Sequence, residues 1–441
     1  MKIPPEIQPH AILAVPEENR TGKPSALNRL SSLDQERAWV TVDLEALAHN
    51  VRSLKTWVGS TVDLMAVVKA DAYGHGAIAI TKTALASGAN WLAVATLEEG
   101  IQLREAGIQA PILVLGFIQN AVQIKSLIDF NLDPTLCTLD QAERLAEVAA
   151  HYPSPKNSPK NSLQNGDRPT PLRVHLNIDT GMSRLGVPWP EARSLVERIY
   201  QLPSLKLVSV YSHFATADEP DILRPRRQRK RFEQAIAPII TQIQDLATGQ
   251  NQPLPKFHMA NSAAILSDRA FHYDLVRPGL AIYGICPAKH LSDRLELKPV
   301  LSVHARVTQI RTIAPGEGVS YGHRFIAQRP TRVAAVGIGY ADGVPRNLSG
   351  QLSVLFQNQL VPQIGSITMD QILLDATDVP DLHSGDVVTL LGNAEGGGDR
   401  TISAQDWADQ LGTISWEILC GFKHRLPRIT LPAAAPANPE T

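Results

Sequence analysis

Cysteine is scarce in this sequence: Cys137, Cys286 and Cys420 stand far apart and in no metal-ligand spacing. That excludes a disulfide framework, argues against a metal site, and makes a reducing, cytoplasmic setting the simplest expectation. Aromatic residues amount to 5%, so the core must be built from aliphatic side chains, which are plentiful. Charge of neither sign dominates: Lys plus Arg number 42, Asp plus Glu 43, and the net charge is -1. Without a long-range field there is no general attraction to nucleic acid or to an anionic membrane, and a small neutral or zwitterionic substrate fits better. Long apolar runs are missing too, none reaching the roughly 18 residues of a membrane span. Residues 1–36 have neither the apolar middle of a secretory signal nor a strong Arg/Ser bias. They read as a disordered polar tail, and residues 433–441 as a second one.

What is present suggests two domains, as a length of 441 residues leads one to expect. From Thr61 onward, short β-branched runs alternate with segments of helical period. The runs are Val62–Lys69, Trp91–Ala95, Ile112–Leu115, Asp133–Cys137, Arg173–Ile178, Leu205–Phe214, Lys256–Met259 and Leu275–Tyr283. Helical candidates between them include Ala77–Ser87, Leu97–Ala106, Leu139–Ala150, Glu191–Gln201 and Gln228–Ala247. This predicts an α/β fold, a (β/α)8 TIM-type barrel over residues 44–290. A doubly wound sheet is the weaker alternative, because no GxGxxG turn follows the first run. The stretch Tyr152–Pro171, with its near-duplicate PKNSPKNS, reads as a surface insertion. Beyond Pro299 the pattern becomes alternating strands with Gly turns: Leu301–Ile313, Arg332–Ile338, Leu352–Phe356, Gln371–Asp375 and Val387–Leu391, with one late helix near Ser403–Leu411. That predicts a mainly β domain over residues 291–432. The early strand at 37–43 is expected to pair with it.

In such a barrel the chemistry sits at the carboxyl ends of the strands. The first run ends in AVVKADAYGHG, so Lys69 is either a snorkelling rim residue or a functional amine. Desolvation lowers a lysine's pKa and favours the neutral amine that attacks an aldehyde, so a Schiff base is the chemical use of this position. The seventh run leads into Asn261 and Ser262, and the eighth into Arg277, Gly279 and Leu280. Small residues there suit a phosphate, which needs bare backbone N–H groups close by; alone they would equally be a turn and a helix cap at Ser262.

At this point the sequence resembles the alanine racemase family of fold-type III pyridoxal 5′-phosphate (PLP) enzymes, over nearly all of Ala38–Pro432. The motifs are AVVKADAYGHGA, DTGMSRLG, YSHFATAD, ANSAA, VRPGLAIYG, VSYGHRF, GYADG and TMDQ, in that order. The resemblance implies a homodimer with shared sites, in which Lys69 is the covalent PLP carrier and one base, and Tyr321, from the partner chain, the other. It further implies Arg277 at the pyridine nitrogen, Tyr73, Ser262, Gly279 and Leu280 at the phosphate with Asn261 beside them, and His213 beside the ring. Arg184 would steer Tyr321 and the substrate carboxylate. Met369 would reach the substrate with Tyr321, and Asp218, Tyr340 and Asp370 would support the entrance. Taken singly, His213 would more often be a core histidine, Met369 packing and Tyr340 a strand aromatic; the basic run Arg226–Arg231 reads as a solvated helix face.

The implied reaction explains these residue types. Racemisation removes the Cα proton from one face and returns one to the other, so it needs two bases. A tyrosine serves as a base only when cations favour its phenolate, here Arg184 relayed through His213. Arginine cannot be deprotonated, so Arg277 would leave the pyridine nitrogen without a proton and suppress transamination. Two positions depart from the family pattern. Asn177 stands where many members carry a carbamylated lysine, so Arg184 would be positioned by that amide or by an anion. Trp416 stands where a tyrosine commonly reaches the PLP phosphate. The implied activity is interconversion of L- and D-alanine, supplying D-alanine for peptidoglycan. Serine is the rival substrate, since one methylene-scale contact is worth only about 1–3 kcal/mol. A non-catalytic PLP-binding protein is disfavoured by the second domain, and a decarboxylase by Arg277.

Overall fold

The computed structural model describes residues 36–152, 171–247, 254–394, 399–422 and 424–431. The two tails, and nearly all of the 152–171 insertion, lie outside the described residues. The described residues from Ala38 onward form one unit that holds both the barrel and the β domain.

Eight parallel strands form a nearly closed barrel: Asp63–Val67, Trp91–Val94, Ile112–Phe117, Asp133–Leu136, Leu172–Asp179, Leu205–Tyr211, Lys256–His258 and Leu275–Val276. They are apolar on successive residues; Leu64, Met65 and Ala66 are all fully buried, as expected of parallel strands covered on both faces. The first strand pairs with the second and with the eighth. Between the seventh and eighth, the N–H groups of Asp274 and Arg277 donate to the carbonyls of Phe257 (3.0 Å) and Ala260 (2.9 Å). The eighth run is shorter than its apolar length suggests. Pro278 has no N–H for a ladder, and Leu280–Tyr283 coil into a buried 3-10 turn instead.

Outside the barrel, helix Leu44–Val58 buries Leu47, Val51 and Leu54, one face of a 3.6-residue period. From the same helix, Asn50 donates to the carbonyls of Ile282 and Lys298 and accepts from Lys298 N–H, stitching the barrel to the segment that leaves it.

The second domain is one sheet in the order Gln359–Pro362, Ser353–Phe356, Val387–Asn393, Leu301–Ile313, Ala38–Asp43, Arg428–Leu431. Ala38–Asp43 runs antiparallel to Leu301–Ile313, with Ala38 opposite Ala305, and parallel to Arg428–Leu431. Thr331–Val336 and Ile372–Asp375 extend the far end of the long strand. Late in the chain there are two helices where the sequence predicted one: Ala404–Leu411, opened by a Ser403/Asp406 capping box, and Ser415–Gly421, too short to display a helical period. The second helix packs on the chain just after Lys69. A Cβ at Gly74 would come within 2.7 Å of the Leu419 carbonyl, and Arg428 donates to the carbonyls of Gly74 and Phe422.

Candidate active site

Immediately after Lys69 the backbone turns left-handed. Ala70, Asp71, Ala72 and Tyr73 all have φ between 51° and 54°. For L-residues this costs roughly 1–2 kcal/mol each, so the surroundings must enforce it. Glu99 accepts from Ala70 N–H (2.7 Å) while also holding Ala95 and Thr96, and the Asp71 carboxylate accepts from Ala77 N–H (2.7 Å). The turn follows the carboxyl end of the first strand and leaves Lys69 at that end of the barrel. Burial, and then the Arg184 charge, lower the lysine's pKa; Glu99 and Cys420 oppose the shift.

Just after the eighth strand, which neighbours the first, comes Arg277, 4% exposed. Its guanidinium donates to His258 Nδ1 (2.5 Å), to the carbonyls of Ser212 (2.7 Å) and Met259 (3.1 Å), and to His213 Nδ1 (3.3 Å). Arginine can only donate, so both imidazoles accept at Nδ1 and carry their protons on Nε2. From His258 the chain of bonds continues through Ser209 Oγ to His175 and on to Asp133, crossing the barrel interior. Burial lowers Arg277 to about 10, which leaves it charged at neutral pH. Burial and the charges of Arg277, Arg184 and Lys69 push His213 down to about 3, so it is neutral.

A third cluster joins the seventh and eighth strand ends. Asn261 caps helix Ser262–Ser267, and Ser262 Oγ accepts from Gly279 N–H (3.0 Å) and Ala281 N–H (3.1 Å), which fixes buried Leu280 between them. At Gly279 a Cβ would sit 2.8 Å from the Tyr73 hydroxyl, so a larger residue there would displace the tyrosine. Trp416 is half-buried against the core on helix Ser415–Gly421.

Arg184 is presented by a loop knotted on one carboxylate. Asp179 Oδ1 accepts from the N–H groups of Gly181 (2.9 Å), Met182 (3.1 Å) and Ser183 (3.0 Å). Arg184 is exposed, yet its charge reaches Lys69, His213 and Arg277. Asn177 is buried and makes no hydrogen bond to Arg184 among the described residues, and Asp218 is exposed with no hydrogen bond among them.

The remaining expected residues form a separate group in the β domain. Tyr321 is 74% exposed, Met369 53% and Tyr340 40%. Two turns carry the last pair: Tyr340 and Ala341 donate to the carbonyls of Thr368 and Met369, and Arg425 joins Asp370 to fully buried Asp342. Among the described residues no hydrogen bond connects Tyr321 to the Lys69 cluster. Sequence reasoning missed Glu99, although TLEE is a readable capping box, and it missed His258, Ser209, His175 and Asp133, which look like ordinary strand interiors.

The family model for the alanine racemase N-terminal domain matches residues 42–287, and that for the C-terminal domain residues 300–430. The chain belongs to the alanine racemase family. An alanine racemase from Synechocystis sp. is 53% identical over 397 residues, covering 90% of this chain and 100% of the relative. One from Nostoc sp. is 52% identical, covering 89% and 96%. The crystal structure of alanine racemase from E. faecalis superposes with a TM-score of 0.79 at 31% identity over 90% of this chain and 98% of that one. Alanine racemase from Bacillus anthracis, solved with bound L-Ala-P, gives 0.77 at 34% identity over 91% and 96%. Membership of the alanine racemase family makes the chain a PLP-dependent amino-acid isomerase. Its residues fit that cofactor: an amine with a lowered pKa, a glycine whose added Cβ would crowd the Tyr73 hydroxyl, and a buried guanidinium whose Nε has no partner among the described residues.

Proposed function

We propose that this chain interconverts L- and D-alanine as a homodimer in which each site takes its barrel residues from one protomer and Tyr321 and Met369 from the other. The observation that carries this reading is the separation of the two groups: an amine, a guanidinium and the cluster of Ser262, Gly279 and Tyr73 at the strand ends of the barrel, and an exposed phenol on a different domain.

When bound, PLP supplies an electron sink for the pair left at Cα as its proton departs. Lys69, whose pKa is lowered by burial, would take or return the Cα proton on one face, and the Tyr321 oxygen on the other. Arg277, which can only donate, would face the ring nitrogen and leave it without a proton of its own, a setting that disfavours transamination. Tyr73, Ser262, Gly279 and Leu280, with Asn261 and Trp416 beside them, would hold the phosphate, and neutral His213 would lie beside the ring. Arg184 binds the substrate carboxylate. Tyr340, Asp370 and Asp218 would shape the entrance with Met369, and Asn177, which makes no hydrogen bond to Arg184 among the described residues, leaves a bound anion as the means of positioning that arginine. D-alanine made in the cytoplasm would then feed peptidoglycan synthesis.

The test is racemisation by the purified holoenzyme of L-alanine against L-serine. Faster turnover of alanine supports the reading. Preference for serine replaces the substrate and keeps the chemistry, and no turnover of either with PLP bound contradicts it.

A further inference from the structure

The Tyr321 side chain makes no hydrogen bond among the described residues, so its direction is inherited from its backbone. That backbone is unusual. Ser320, the residue before it, sits at φ 63°, ψ -174°, a region populated almost only by glycine. Two hydroxyls hold it there. Ser320 Oγ donates to the Ser366 carbonyl (2.7 Å), and Ser366 Oγ donates back to the Tyr321 carbonyl (2.8 Å). Ser366 is 1% exposed, so water cannot replace the lost partner if its hydroxyl is removed. Gly365 is part of the same closure: at φ +66°, a Cβ there would lie 2.6 Å from the Val319 carbonyl and 3.1 Å from Ser320 Cβ.

We infer that Ser366, with Ser320, is a positioning residue for Tyr321: the reciprocal hydroxyl latch sets the angle at which the phenol is offered to the substrate. The inference rests on the proposed two-base reading with the faces assigned as the resemblance to the alanine racemase family implies, Tyr321 acting on the Cα proton of L-alanine and Lys69 on that of D-alanine. It assigns Ser366 no contact with substrate. Because Ser366 also opens the segment that runs to Met369, the latch keeps the phenol and the methionine in one frame.

L- and D-alanine have equal free energy, so a defect on one face cannot appear as unequal net racemisation. Exchange of the Cα proton with solvent deuterium reports each face separately. Wild type, Tyr321→Phe, Ser366→Ala, Ser320→Ala and Ser320→Gly are compared as holoenzymes, with PLP content and melting temperature measured alongside. Ser320→Gly guards against misfolding, since glycine accepts the backbone angle while losing the hydroxyl. Displacement of a reacting group by less than an ångström costs roughly ten- to a hundredfold, so the serine variants should lose about that much exchange from L-alanine and keep exchange from D-alanine. A purely structural role would lower both together or lower the melting temperature alone. If Tyr321→Phe loses L-alanine exchange while every folded serine variant keeps the wild-type ratio, the latch is overturned and the base assignment stands. If Tyr321→Phe keeps the ratio, the base assignment falls and the latch's role falls with it.

Discussion

At Lys69 the amine is drawn toward its neutral form by burial and by Arg184, and back toward the ammonium by Glu99. Borohydride reduction of the holoenzyme followed by peptide mapping should place the pyridoxyl label on Lys69; a label on another lysine would refute the assignment. Glu99→Gln removes the opposing carboxylate and leaves an amide oxygen that can still accept from Ala70 or Ala95. The apoenzyme of that variant should attach PLP at lower pH than wild type, followed by the rise in cofactor absorbance, because attachment needs the neutral amine. A shift to higher pH would show that Glu99 acts otherwise. Arg277 has a different logic. Among the described residues its charge faces carbonyls and neutral imidazoles with no carboxylate in direct contact, so hydrogen bonds hold the cation.

Among the elements, the Asp179 loop has the clearest division of labour, since one carboxylate oxygen orders three successive N–H groups and thereby aims Arg184. Asp179→Ala frees that loop without touching the barrel core. KM for alanine should rise by about tenfold or more with PLP content unchanged, since each freed N–H costs on the order of 1 kcal/mol of order; an unchanged KM would show that Arg184 is held by something else. Much of this architecture was legible beforehand. The barrel strands are short runs apolar on both faces, and the chemistry-bearing motifs fall at their ends. The eighth run misled because a buried 3-10 turn is as apolar as a buried strand. Helix Ser415–Gly421 escaped because seven residues carry no visible period. Nothing in AVVKADAYGHG announces four left-handed residues, since only Gly74 and Gly76 hint at unusual backbone. The bond chain from His258 to Asp133 depends on strand register, which pairs residues far apart in sequence and is invisible to local pattern.

On the scale of the whole molecule, several histidines are folded into places where they cannot charge. Burial lowers His75 to about 4 and His304 to about 4, against an ordinary value of 6.5. Above pH 6.5 neither the folded nor the unfolded chain protonates them and their contribution to stability is complete. As pH falls below 6.5 the unfolded chain takes up protons that the folded chain refuses, so stability drops until the folded values are passed. For His75 alone the loss is on the order of 3 kcal/mol. The melting temperature should therefore fall between pH 7 and pH 5, above the carboxylate range; a constant or rising value would contradict it. The same scale decides the central claim, that an active site is assembled from two chains. Lys69→Ala and Tyr321→Phe chains are each inactive alone in this account. Equal amounts, mixed until subunit exchange is demonstrated by mass, should recover about a quarter of wild-type activity, because half the dimers are hybrids and one of their two sites holds both bases. Absence of recovery with hybrids present would contradict the shared site.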